Sequence, residues 1–63
     1  MSQIKNIIVS AAIAIDQIGD PMLAEQVLSG EATIGRLVAV AAQLDNEDRQ
    51  VVTEYISIAR GGA

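Results

Sequence analysis

The sequence contains neither cysteine nor histidine. Without cysteine the chain forms no disulfide bond, and without either residue it lacks the ordinary ligands of zinc and haem. The same absences exclude nucleophiles and bases of the Cys and His types. We therefore expect no metal ion and no cofactor. A chain without cysteine is compatible with a reducing compartment, and we expect a cytoplasmic location.

Basic residues and long apolar runs are also scarce. Four cationic side chains, spread along the chain, stand against eight carboxylates and give a formal net charge of −4. This charge disfavours non-specific binding to nucleic acid phosphates or anionic lipid. The longest uncharged run covers only residues 6–15, whereas a membrane-spanning helix needs about 20 residues. The sequence therefore predicts no membrane span and favours no nucleic acid partner.

Turn residues divide the chain into helical segments. Gly19 suits the left-handed end of a first helix, Asp20 suits the cap of a second, and Pro21 suits its first turn. Ser29-Gly30 is a further helix stop, in which Ser29 is also a candidate cap for the helix that follows. Residues 45–48 place a cap and two acids at the positive end of a last helix.

These breaks predict helices over residues 3–18, 21–28, 31–44 and 46–60, the last stopped by Gly61-Gly62. Strands at 7–9 and 51–52 are the alternative, but strict alternation is missing there. We predict an all-α fold, a small bundle of three to four short helices in one domain over residues 1–63. So short a chain buries little surface, so we expect self-association to complete the bundle.

The first helix is apolar on two sides. One side forms a heptad-like series, whereas Val9 and Ile13 lie on roughly the opposite side. The series consists of Ile4, Ile8, Ala11, Ile15 and Ile18. Either the chain buries this helix completely, or one side packs internally and the other contacts another subunit. We favour the second interpretation because three short helices have little surface with which to cover the first.

The third predicted helix combines a core stripe with a row of small side chains. The core stripe consists of Ile34, Leu37, Val38, Ala41 and Leu44. The small-residue row consists of Ala32, Gly35, Ala39 and Ala42. Such a row allows a second helix backbone to approach closely, although a solvated face of good helix formers has the same composition. We favour close packing because Gly35 is costly in a helix interior.

The last predicted helix is amphipathic. Its polar stripe consists of Gln50, Thr53, Glu54, Ser57 and Arg60, and we expect it to face water. Tyr55 is the only aromatic residue. We expect its ring to pack against the core with the hydroxyl at the edge, and we assign it no role in chemistry.

No motif for catalysis or metal binding stands out. Predicted helix caps and solvent-exposed helix faces account for most hydroxyls and carboxylates. The sequence contains no phosphate-binding glycine loop. Residues 45–48 are acidic like a calcium loop, but Arg49 occupies its fifth position and its glycine is missing. We therefore predict no catalytic and no metal-binding residue, and no enzymatic activity.

Residues 23–37 resemble a phage-repressor-type helix-turn-helix. The apolar and small positions that match are Leu23, Ala24, Val27, Ile34 and Leu37. The sequence departs from that family at the turn, where Leu28 replaces the expected glycine and Gly30 comes two residues late. The resemblance implies DNA binding by the second helix, which would offer only Thr33 and Arg36 to bases and phosphates.

The favoured function is a non-enzymatic helical interaction or assembly module, a homo-oligomer with the dimer as the favoured state. The residues predicted to form its contacts are Val9, Ile13, Ala32, Gly35, Ala39 and Ala42. Docking on another protein as an adaptor or inhibitor belongs to the same class. The alternative is a dimeric helix-turn-helix-like DNA-binding regulator, and a small-ligand site at a subunit interface is a third hypothesis.

Overall fold

Four α-helices joined by short turns account for most of residues 3–61, the part of the chain that this computed structural model describes. They are α1 (Gln3–Gln17), α2 (Pro21–Ser29), α3 (Ile34–Ala41) and α4 (Asn46–Ala59). No strand occurs within the described residues. The predicted all-α bundle is therefore confirmed, and the bounds of α1, α2 and α4 agree with the sequence to within one residue.

The turn between α1 and α2 forms as its residues predict. Gly19 has a φ of +94°, a left-handed conformation that glycine adopts at little cost. The Asp20 carboxylate accepts a hydrogen bond of 3.1 Å from the backbone N–H of Leu23, and Pro21 opens α2. A left-handed glycine, a side-chain cap and a proline thus turn the chain back on itself and start α2.

The start of α3 differs from the prediction. Gly30 ends α2 with a φ of +82°, and the N–H groups of Glu31 and Ala32 both donate to the Gln26 carbonyl, at 2.8 and 3.2 Å. These bonds hold residues 31–32 against the end of α2, so they do not begin the next helix. The cap of α3 is Thr33, whose Oγ1 accepts from the N–H of Arg36 at 3.4 Å.

The predicted second role of Ser29 is wrong for the same reason. Its hydroxyl donates to the Gln26 carbonyl at 3.1 Å, within its own helix. The side chain therefore closes the last turn of α2 and does not cap α3. Two residues, Ser29 and Thr33, have suitable cap chemistry, and the bonds of the intervening turn select the second.

The end of α3 also lies earlier than predicted, at Ala41 instead of residue 44. The N–H groups of Gln43 and Leu44 donate to carbonyls three residues back, at 2.9 and 3.1 Å, which tightens the chain beyond an α-helix. The Arg49 guanidinium then donates to the carbonyls of Ala41 and Leu44 at 3.3 and 3.0 Å. Arg49 thereby adds a second hydrogen bond to the Ala41 carbonyl at the end of α3 and bonds the Leu44 carbonyl in the turn that follows.

The ends of α4 follow the sequence prediction. The Asp45 carboxylate accepts from the N–H of Asp48 at 3.1 Å, and the acidic residues of the first turn lie at the positive end of the helix. Arg60 is the C-terminal cap residue, and Gly61 follows with a φ of +78°. Gly62 lies outside the described residues.

The core forms where α1 packs against α2 and α4, while α3 packs against α4. Ala11, Ala12 and Ala14 are buried on α1, and such small side chains allow neighbouring helix axes to come close. Tyr55 is 6% exposed and its hydroxyl donates to the Val27 carbonyl at 3.3 Å, which joins α4 to α2. The predicted packing of the Tyr55 ring is confirmed, but the hydroxyl makes a buried hydrogen bond instead of lying at the edge.

The predicted core positions are largely correct, with one exchange on α3. Ile15 and Leu37 are fully buried, and the whole polar stripe of α4 is exposed. Val38, which was predicted to belong to the core stripe, is 53% exposed, whereas Val40 is buried. Because α3 packs mainly on one neighbour, its buried stripe is narrow and contains residues 37, 40 and 41, and residue 44 is buried in the turn that follows.

Two predicted apolar positions of α1 lie at its margins. Ile4 and Ile18 are 51% and 40% exposed, although both continue the predicted heptad-like series. Ile4 lies in the first turn of α1, and Ile18 follows its last residue. The neighbouring helices thus cover the middle of the series and leave its ends accessible.

Within residues 3–61, none of the helices combines the length and the apolar character that crossing a bilayer demands.

The contacts of Arg49 generate a stability prediction. Arg49→Met keeps most of the aliphatic stem but removes the hydrogen bonds to Ala41 and Leu44, so we expect the free energy of unfolding to fall by about 1 kcal/mol. The control is Arg60→Met, which removes the same charge from an exposed side chain. Urea denaturation of both variants checks this, and equal midpoints would show that the Arg49 bonds contribute nothing.

Candidate protein-interaction surface

A groove runs between α1 and α2. Its lining includes two alanines that are buried, Ala12 and Ala24, and these form the floor. Longer, exposed side chains form the walls of this open groove, which has a volume of about 620 Å³. The α1 wall consists of Val9, Ile13 and Asp16, and the α2 wall of Met22, Glu25 and Leu28. We call this feature the α1–α2 groove.

Exposed apolar side chains are concentrated in this groove. Seven large hydrophobic residues of the described chain are exposed, and four of them line the α1–α2 groove. They are Val9, Ile13, Met22 and Leu28, with exposed fractions of 40, 52, 66 and 58%. Isolated apolar residues on a surface are ordinary, but a cluster around a concave feature is typical of an interaction site.

The helix arrangement explains why this side of α1 stays uncovered. Ala11 and Ile15 direct one side of α1 into the core, and Val9 lies about half a turn away from Ala11. The α2 and α4 helices cover the core side, and α3 packs on α4 instead of on the remaining side of α1. Val9 and Ile13 therefore stay accessible in the single chain.

The charge on the groove is negative. Asp16 and Glu25 contribute carboxylates to the lining, and no lysine or arginine lines it. The nearby Asp20 carboxylate lies 3.8 Å from the Arg36 guanidinium, but both groups are partly exposed and such a pair stabilises the fold only weakly. The groove thus combines apolar walls with two carboxylates.

The structure places two of the six predicted contact residues, Val9 and Ile13, together on this surface. Sequence reasoning missed the α2 wall. The signal for it was present: Met22, Glu25 and Leu28 recur at spacings of three on a short helix whose opposite side already supplies the buried Leu23 and Val27. Two apolar residues beyond those needed for the core indicate a second contact surface.

The small-residue row is not one helix face, because α3 begins only at Ile34. Ala32 lies in the preceding turn and is partly buried against the core. Gly35 and Ala39 lie on an exposed side of α3, and Ala42 follows its last residue and is exposed. A Cβ atom added at Gly35 would meet nothing within 4 Å. None of the helices within residues 3–61 therefore uses the close approach that Gly35 permits, and contact with another chain stays a prediction.

Features of a chemical site are not seen in the described part of the chain. No group of three or more acidic side chains there is arranged to hold a metal ion. Every buried side-chain nitrogen or oxygen atom within that range has a hydrogen-bond partner. The surface features that distinguish residues 3–61 are therefore its apolar ones.

No protein-family model, no curated protein and no solved structure matches the chain.

The open space at Gly35 makes its substitution informative. We expect Gly35→Ala to raise the free energy of unfolding of the single chain by about 0.5 kcal/mol, because alanine favours the helix and meets no obstacle. The same change at Gly30 should lower it by about 1 kcal/mol, because Gly30 has a positive φ. Thermal unfolding of the two variants in dilute solution measures both effects. A destabilised Gly35→Ala variant would contradict the open surface.

Proposed function

We propose that the protein is a non-enzymatic assembly module that self-associates, with the dimer as the favoured state. The observation that carries this proposal is the clustering of Val9, Ile13, Met22 and Leu28 in the α1–α2 groove. The exposed small residues of α3, Gly35 and Ala39 among them, offer a second contact surface.

The size of the chain supports self-association over a lone monomer. A standard interface covers about 800 Å² per partner, about a fifth of the 4196 Å² that the chain exposes. A chain this small buries a modest fraction of its surface by itself, and association with a second copy is a common way to bury more. Covering the α1–α2 groove would remove from water four of the seven exposed large hydrophobic side chains of the described residues.

The DNA-binding alternative gains little from the described surface. The two residues available for reading DNA already have local partners: the Thr33 hydroxyl caps α3, and the Arg36 guanidinium lies 3.8 Å from Asp20. The helix-turn-helix alternative also requires a basic surface, and the net charge of −4 disfavours attraction to phosphates. We therefore prefer assembly to this alternative.

A matched pair of substitutions tests the proposal. Ile13 and Val38 are exposed to nearly the same extent, 52 and 53%, but only Ile13 lines the α1–α2 groove. We expect Ile13→Gln to weaken the dimer about thirtyfold, because each copy loses roughly 1 kcal/mol of apolar burial. Val38 lies on the α3 surface beside Ala42, so Val38→Gln tests that second surface. We expect it to weaken the dimer much less than Ile13→Gln, because four of the seven exposed large hydrophobic side chains of the described residues line the groove.

Sedimentation equilibrium over a range of concentrations measures both dissociation constants. A wild-type particle that keeps the 6.6 kDa mass of one chain at every concentration would contradict self-association. Equal weakening by both variants would show that the α3 surface contributes as much to the dimer as the groove, which would contradict the groove as the main interface.

A further inference from the structure

We infer that the α1–α2 groove of one chain receives α1 of a second copy in antiparallel orientation, with Lys5 of each copy facing Asp16 of the other. This inference rests on the proposed self-association and specifies how the two copies meet. The occupant of the groove is thus the chain itself, through the same face of α1 that forms one of the groove walls.

One side of α1 carries two exposed apolar residues between two residues of opposite charge. Lys5, Val9, Ile13 and Asp16 recur at spacings of four, four and three, which places them on one side of the helix. The stripe begins with a cation, continues with two exposed apolar residues and ends with a carboxylate. Its two charged ends are separated by about 16 Å along the helix axis.

This stripe is complementary to an antiparallel copy of itself. The midpoint between Lys5 and Asp16 and the midpoint between Val9 and Ile13 differ by half a residue, less than about 1 Å along the axis. A single twofold axis therefore brings Val9 opposite Ile13 and Lys5 opposite Asp16, twice in each dimer. Twofold symmetric dimers are the commonest homo-oligomers, and each contact in them occurs in duplicate.

A parallel arrangement would oppose like charges. Lys5 would then lie against Lys5 of the second copy, and Asp16 against Asp16, so each end of the stripe would be repulsive. The charges therefore favour the antiparallel orientation.

The helix dipole supplies an independent reason. Lys5 lies in the first turn of α1 and Asp16 in its last turn, whereas the dipole favours the opposite placement. The first turn of α1 contains no acid and the last turn contains no base. An antiparallel second copy places each Asp16 beside the positive end of the other α1, so the charges that are unfavourable within one helix become favourable between two.

The shape and charge of the groove fit this occupant. Ala12 and Ala24 at the floor of the groove have small side chains, so that a helix can approach closely. Glu25 adds a second carboxylate to the lining, and among residues 3–61 no cation lines the groove. Lys5 of the second copy therefore enters a negative environment.

Charge reversal tests the orientation. Lys5→Glu opposes two carboxylates, and Asp16→Lys opposes two ammonium groups, so we expect each variant to weaken the dimer about tenfold. The double variant Lys5→Glu/Asp16→Lys restores opposite charges and should bind within about threefold of the wild type. An equimolar mixture of the two single variants should form a heterodimer of similar affinity, because both of its charge pairs are then opposite.

The control separates local contact from net charge. Glu54→Lys makes the same change in formal charge as Asp16→Lys but lies in the exposed polar stripe of α4. Because either change brings a chain of charge −4 closer to neutrality, a general charge effect would strengthen the dimer in both variants. We expect only Asp16→Lys to weaken it. Helical circular dichroism of each variant verifies that it is folded.

The outcomes distinguish the two proposals. A wild-type dimer whose affinity responds equally to Asp16→Lys and Glu54→Lys, or a double variant no tighter than the single variants, would overturn the antiparallel arrangement and leave self-association standing. A monomeric wild type would overturn both self-association and the antiparallel arrangement. A groove that binds only a different protein would also leave the wild type monomeric.

Discussion

The constraint on which this structure depends is that α1 carries apolar residues on more sides than the rest of the chain covers. Buried alanines let α2 and α4 pack closely on one part of α1, and α3 packs on α4 instead. Val9 and Ile13 consequently remain exposed beside α2. The proposed function and the proposed pairing of α1 helices are both consequences of this uncovered side.

Local polar contacts determine how the helices are arranged around α1. Gly19 and the Asp20 cap fold α2 back on α1, so that the two helices form the walls of the α1–α2 groove. Arg49 bonds the carbonyls of Ala41 and Leu44, which ties the end of α3 to the start of α4. Each contact stabilises the fold by little, but the first places α2 beside α1 and the second keeps the end of α3 beside α4.

Sequence reasoning predicted what is encoded locally. The glycine, cap and proline at residues 19–21 and the cap at Asp45 each act through neighbours in sequence, and the structure confirms them. The predicted start of α3 was wrong because Ser29 and Thr33 are both suitable caps. Which of the two caps α3 depends on how Gly30 directs the chain. Val38 was misplaced because the buried side of α3 depends on which helix becomes its neighbour, which periodicity alone does not specify. The spacing of the α2 residues indicated a second apolar side, but that this side borders α1 also depends on the arrangement of the helices.

The most direct test of self-association through this uncovered side is the dependence of the thermal midpoint on protein concentration. If dissociation accompanies unfolding, raising the wild-type concentration from about 5 to about 500 µM should raise the midpoint by about 10 °C. The Ile13→Gln variant should show this dependence only at higher concentrations. A wild-type midpoint that stays constant to within about 1 °C over the whole range would contradict the account.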